Sequence, residues 1–189
     1  MRRHLVLGAL ILGASGTANA AGLDIALGSE TAQFNYYFGS DAVGYGGADF
    51  SIGAFVNEPD DVMGSFGVKV TGSPAGARPF SFGVGAKAYA AALDRPDQDV
   101  QAIGIGGEIK FHIPANMPMA IVVEGYHAPG ITTFGDGDSF TDLNLNFEIE
   151  ITPGTAAYIG YRNLETELSD TGADYELDDE GHVGIRVMF

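Results

Sequence analysis

From Leu23 onward the chain alternates apolar residues with polar or small ones in short runs, each closed by a turn rich in Gly, Pro, Asn or Asp. Leu23, Ile25 and Leu27 form the first run; after Gly28-Ser29-Glu30-Thr31 the apolar phase passes to Ala32, Phe34, Tyr36 and Phe38. A four-residue hairpin loop produces that switch by pairing Leu27 with Ala32 on one face. Further runs follow at Ala48–Val56, Val62–Val70, Phe80–Ala90, Ile103–Ile113, Met119–Val123, Leu143–Ile151 and Ala157–Tyr161, and the last is "HVGIRVMF". The pattern predicts about ten strands, or eight if the short first hairpin is irregular. Many approach the 9–11 residues that a tilted strand needs to cross a bilayer.

Alternation with period two is shared by soluble barrels and sandwiches, whose apolar face points inward. Three features favour a membrane barrel. The face opposite the apolar one in Phe80 to Ala92 reads Ser81, Gly83, Gly85, Lys87, Tyr89, Ala91, which suits a narrow lumen better than a charged, solvated surface. The connections fall into two alternating sets. One holds the turns "GSDAVG", "SPAGARP", "PANMP" and "TPG"; the other holds "GSET", "NEPDD", "LDRPDQD", the stretch around "APGITTFGDGDSF" and the acidic "ETELSDTGADYELDDEG". Short periplasmic turns and longer outer loops are the outer-membrane arrangement, although "GSET" runs against it. Finally, a closed barrel pairs its last strand with its first, so a terminal strand is expected. Val183, Ile185, Val187 and Phe189 also resemble the terminal signal that the barrel assembly machinery reads during biogenesis. The fold class expected is thus all-β, a transmembrane antiparallel β-barrel.

The N-terminus separates from this pattern. Arg2 and Arg3, an apolar run from Leu5 to about Ala14 and small residues ending at Ala18-Asn19-Ala20 have the layout of a secretory signal peptide over residues 1–20. The barrel then occupies residues 21–189, at the cell outer membrane. The formal net charge is −16 and there are no cysteines. That balance argues against nucleic acid or an anionic membrane surface as partner, and the fold must stand without disulfides.

The segments "VVEGYHAPGITTFGDGDSF", "AAYIGYRNLE" and "YELDDEGHVGIRVMF" resemble the YfaZ family of outer-membrane proteins, and "GLDIALGSETAQFNYYFG" is compatible with it. The resemblance covers roughly Leu23 to Phe189 and is densest in the last third. It implies a small outer-membrane barrel and brings no substrate or catalytic residues with it.

Charged residues fall in the phase opposite the apolar one: Asp24, Asp49, Lys69, Lys87, Glu108, Lys110, Glu124, Asp142, Glu148, Glu150, Arg162 and Arg186. A lysine or arginine turned to lipid at the midplane costs about 2–4 kcal/mol, so these residues are expected to face inward. Neighbouring-strand logic pairs Lys87 with Glu108, Lys110 with Glu124, and Glu148 or Glu150 with Arg162. Such a network serves either as a polar plug that fills a narrow barrel or as an ion path ringed by charge.

Catalysis finds no footing. The histidines His112, His127 and His182 have no serine at triad spacing, and H-E-x-x-H and G-x-S-x-G are missing from the sequence, so the protein is not expected to be an enzyme. His127 and His182 are placed near the outer rim. Asp136, Asp138, Asp178 and Asp179 are weak loop candidates for a metal, but the glycine position does not fit an EF-hand. Solvated acidic loops are the plainer reading. No cofactor is expected. Lipopolysaccharide and outer-membrane lipid are the expected partners, with weakly held divalent cations at the loops, and the barrel is expected to be a monomer.

The resulting expectation is a structural, envelope-type barrel with a polar, plugged lumen and acidic outer loops. A narrow pore for small ions or solutes is the alternative, and an outer-membrane hydrolase ranks last.

Overall fold

Backbone amides along alternating strands need partners on both sides, and a sheet supplies them without free edges only by closing on itself. A computed structural model describes residues 21–39, 48–58, 60–73, 79–94 and 97–189, and in it the sheet closes. The signal peptide expected over residues 1–20, and most of the turns "GSDAVG" and "SPAGARP", lie outside the described residues. The strands are β1 (Ala21–Leu27), β2 (Thr31–Gly39), β3 (Ala48–Asn57), β4 (Val62–Gly72), β5 (Phe80–Leu93), β6 (Gln98–Ile113), β7 (Met119–Ala128), β8 (Thr133–Gly135), β9 (Gly137–Thr152), β10 (Thr155–Leu168) and β11 (Ala173–Met188).

All pairings are antiparallel. Neighbours in sequence pair from β1 to β7, β7 pairs with β9, and β11 returns to β1. The short β8 lies beside the far end of β6 and leaves a ring of ten strands rather than eight. The fold is all-β, a closed antiparallel barrel of the transmembrane type. Leu27 pairs with Ala32, as the phase switch requires.

We call the end carrying Ala21 and Phe189 the near end. Outward side chains from there to mid-barrel are apolar: Val84 is 70% exposed and Ile105 71%, among a belt that includes Ile109, Val123, Leu145, Ile159 and Ile185. Outward aromatics cluster toward the near end, where Phe38 stacks on Phe50 at 5.3 Å and Phe80 meets Phe111 at 4.9 Å between ring centroids. Such girdles mark the interface of a bilayer.

Five strands run 14 to 16 residues (β5, β6, β9, β10 and β11), more than a crossing needs. Their far ends change character. Outward positions on β10 and β11 become Asn163, Glu165, Glu167, Asp174, Glu176 and Asp179, with Glu165 opposite Glu176 and Glu167 opposite Asp174. The acidic stretch expected as a long loop is therefore strand, with only Ser169–Gly172 turning between β10 and β11. A register shift beside Leu164 leaves Leu177 as the extra residue, and Leu177 and Asp178 are both buried. That bulge turns two consecutive side chains inward.

Inside the far half, inward side chains form one buried apolar cluster built on Phe55, Met63, Tyr89, Val100, Phe140, Leu164 and Leu177. Phe140 belongs to it, 1% exposed, with its ring 4.5 Å from that of Tyr89. Asp61 secures the adjoining turn. It accepts hydrogen bonds from Asn57 Nδ2 (3.0 Å), the Asp94 amide (2.8 Å) and the Tyr175 hydroxyl (2.8 Å). Phe140→Ala is expected to lower unfolding stability by about 3–5 kcal/mol, the usual cost of emptying a packed aromatic site. Denaturant titration in detergent, followed by heat-modifiable gel mobility, measures it.

Candidate functional site: a charged lumen

Below the apolar cluster the inward face turns polar, and the expected lumenal charges meet there with different partners. Lys69 of β4 donates from Nζ to Glu108 at 2.6 Å and to Glu124 at 3.1 Å. Glu108 and Glu124 are direct register partners on β6 and β7. Lys69 reaches them by crossing over Gly83 of β5; a Cβ there would lie 2.9 Å from Lys69 Cδ. Lys87 pairs with Asp142 at 2.8 Å instead of Glu108. Asp142 Oδ2 also accepts the Tyr89 hydroxyl at 2.9 Å.

Lys110 pairs with Glu148 at 2.7 Å instead of Glu124. Glu148 is shared with Arg186 Nη1 at 2.6 Å, and Arg186 Nε donates to Asp24 at 2.9 Å. Tyr158 donates its hydroxyl to the other Asp24 oxygen at 2.8 Å. Arg162 is fully buried and bonds Asp178 and Gln33, not Glu148 or Glu150. Its guanidinium carbon lies 4.9 Å from the Phe55 ring centroid, at the boundary between the polar and apolar halves. Glu150 is exposed at the near end and, among the described residues, accepts only a long bond from the Gly154 amide, 3.4 Å.

The neighbour-strand pairs failed for a geometric reason. Inward side chains converge on the axis, so their tips meet across two or three strands, and a partner need not lie on the adjacent one.

The acidic metal candidates are not brought together. Asp178 is buried against Arg162, whereas Asp179 faces outward and accepts the Tyr161 hydroxyl. Asp136 accepts the Asp99 amide at 3.0 Å, and Asp138 is exposed on β9. Among the described residues no three His, Asp or Glu side chains form a metal-binding group.

His182 does not sit at the outer rim. It is buried in the lumen, 3.0 Å from Asn146 Oδ1, in space that Gly160 leaves free; a Cβ on Gly160 would lie 2.7 Å from His182 Nε2. His127 faces outward beside Thr141 Oγ1 at 3.2 Å, and His112 lies 3.4 Å from Ser81 Oγ toward the near end. The terminal Val183, Ile185 and Val187 pair with both β1 and β10.

Between these charges lies a cavity of about 400 Å³. It runs from Gln33, Tyr126 and His182 at mid-height to Gly39, Asp49, Thr71 and Met188 at the near end. Tyr37, Asn144, Asn146 and Tyr158 also line it, and none of these was singled out from the sequence. Their signal was phase alone: Asn144, Asn146 and Tyr158 share the parity of the nearest inward charge on their strands, and Tyr37 shares that of Gln33 and Asn35 on β2, which carries no charge.

A family profile described as YfaZ precursor matches residues 1–189. The chain belongs to the YfaZ family. No curated protein matches this YfaZ-family sequence. Among solved structures, it is similar to the outer membrane channel DcaP of Acinetobacter baumannii, at 13% identity and a TM-score of 0.43. That match covers 93% of this chain and 55% of the channel, so the YfaZ-family chain spans about half of the channel's length.

Arg162 and Asp178 are both dehydrated, so breaking the pair leaves a buried charge alone. Arg162→Leu is expected to cost about 3–5 kcal/mol. Adding Asp178→Leu is expected to restore most of that loss, and a double-mutant cycle on unfolding stability checks it.

Proposed function

We propose that the protein is an exported outer-membrane barrel with a structural, envelope role, whose lumen does not conduct in its resting state. The observation that carries this reading is the buried apolar cluster around Phe55, Met63 and Phe140, which fills the far half of the lumen on the proposed outer side. A dehydrated apolar core offers an ion neither water nor counter-charge, so its passage is strongly opposed. The expected polar plug is replaced in this reading by an apolar one, with the charges held below it. The acidic ends of β10 and β11 then face outward above the lipid, where divalent cations bridge them weakly to lipid phosphates.

A narrow pore is the second reading, and the 400 Å³ cavity in the near half favours it. Recording from the purified protein in a planar bilayer separates the two. No discrete steps are expected from the wild type, and steps are expected from Phe140→Ser, which admits water to the cluster. Steps from the wild type at moderate voltage would establish the pore instead.

The membrane placement has its own test. Ile105→Lys, on the outward face at mid-strand, is expected to cost about 2–4 kcal/mol in lipid. Folding in vesicles, followed by gel mobility against denaturant, reads that loss. A soluble barrel would tolerate the same change within about 0.5 kcal/mol.

A further inference from the structure

The near-half cavity has more acceptors than donors. The carboxylates of Asp24, Asp49, Glu108, Glu124, Asp142 and Glu148 line it or pair with its cations, and they outnumber Lys69, Lys87, Lys110 and Arg186. Every one of those four cations is already engaged. Lys69 has to serve two carboxylates at once, and Asp49, exposed at the near end, has no ion pair among the described residues.

The orphaned polar atoms agree in sign. Asn144 Oδ1 and His182 Nδ1 are buried, belong to cavity-lining residues and have no hydrogen-bond partner among the described residues. The first is an acceptor. With Nε2 of His182 donating to Asn146 Oδ1, the second is an acceptor as well. A ligand that completes this site therefore brings hydrogen-bond donors and positive charge. The volume falls within the range of small-molecule sites, and the described side chains offer no three-residue metal group. Both facts favour an organic cation over a bare ion.

We propose that the near half of the lumen is a binding site for a small alkyl amine carrying two or more ammonium groups, entering from the near end. One ammonium sits between Glu108 and Glu124, beside the Lys69 contact, and another nearer Asp49. This inference goes beyond the structural role and does not depend on whether the barrel conducts.

Calorimetric titration of the purified protein in detergent with 1,4-diaminobutane tests it, with succinate as the length-matched anion. Saturable binding of one diamine per chain is expected, weakened by added salt, with no saturable binding of succinate. Glu124→Gln is expected to weaken the diamine by about tenfold or more, the scale of one charge-assisted hydrogen bond. Asp49→Asn, at an exposed position that folding does not lean on, is expected to weaken it several-fold and covers the case in which Glu124→Gln does not fold. Glu165→Gln with Glu167→Gln, on the outward acidic face, is expected to leave affinity within twofold. Absence of saturable diamine binding, equal binding of succinate, or loss only in the outward-face variant overturns the proposal.

Discussion

The seam between β1 and β11 runs from Gly22 opposite Met188 to Leu27 opposite Val183, and Ala21 and Phe189 exchange two further backbone hydrogen bonds of 2.9 and 2.7 Å. Without it, β1 and β11 would each present a bare row of amides and carbonyls, which neither lipid nor a dry lumen can satisfy. β1 is the shortest strand of the ring, seven residues, and it is braced from within at Asp24. Asp24 faces its register partner Arg186 and also receives Tyr158. Higher up, Glu180 accepts the Ser29 and Glu30 amides and the Thr31 hydroxyl, tying the β1–β2 turn to β11. The lumenal charges therefore do more than fill space. They hold shut the seam that defines inside and outside.

Once closed, the wall gives each level of the barrel two faces, and on the β5–β11 side these exchange roles part-way along. In the near half Ile159, Ile185 and Leu145 point out while Tyr158, Arg186 and Asn146 point in. In the far half Glu165, Glu167 and Glu176 point out while Leu164, Leu168 and Leu177 are buried. Both arrangements bury one apolar surface, the first against hydrocarbon and the second against itself. Tyr161, Arg162 and Asn163 mark the level of exchange. Tyr161 lies outward with its hydroxyl on Asp179, and Arg162 lies inward with its guanidinium over Phe55.

That exchange explains what was legible in the sequence. Period two fixed the strands, and the phase switch at Gly28–Thr31 fixed the register of the first hairpin, because both depend only on local parity. Parity also sorted Lys69, Glu108 and Arg186 to the inside. It did not reveal that the meaning of "inside" inverts along β10, since Leu164 and Arg162 have the same phase and differ only in height. Nor did it reveal the bulge at Leu177. One extra residue there swaps the phase of everything beyond, so a charge-rich strand read as a loop. The ion pairs were hidden for a different reason. Lys69 reaches Glu108 two strands away across Gly83, which has no side chain to block the crossing, a fact about what stands between the strands and not about spacing along the chain.

The charge surplus of the near half follows from register in the same way. Glu108 and Glu124 are cross-strand partners on one face, an arrangement that like charges disfavour and that rotamer changes relieve only partly. Lys69 offsets the repulsion by holding one oxygen of each, and neither carboxylate is thereby saturated. Moving either residue to another face would require slipping β6 against β7, which would also turn Val123 and Ile109 inward and place charge on the belt. The surplus is thus built into the sheet. On the proposed reading the apolar cluster above it denies the cavity an exit on that side, and the near half behaves as a cup with a fixed negative bias. Its occupant is selected by charge and by donors, independently of any path through the membrane.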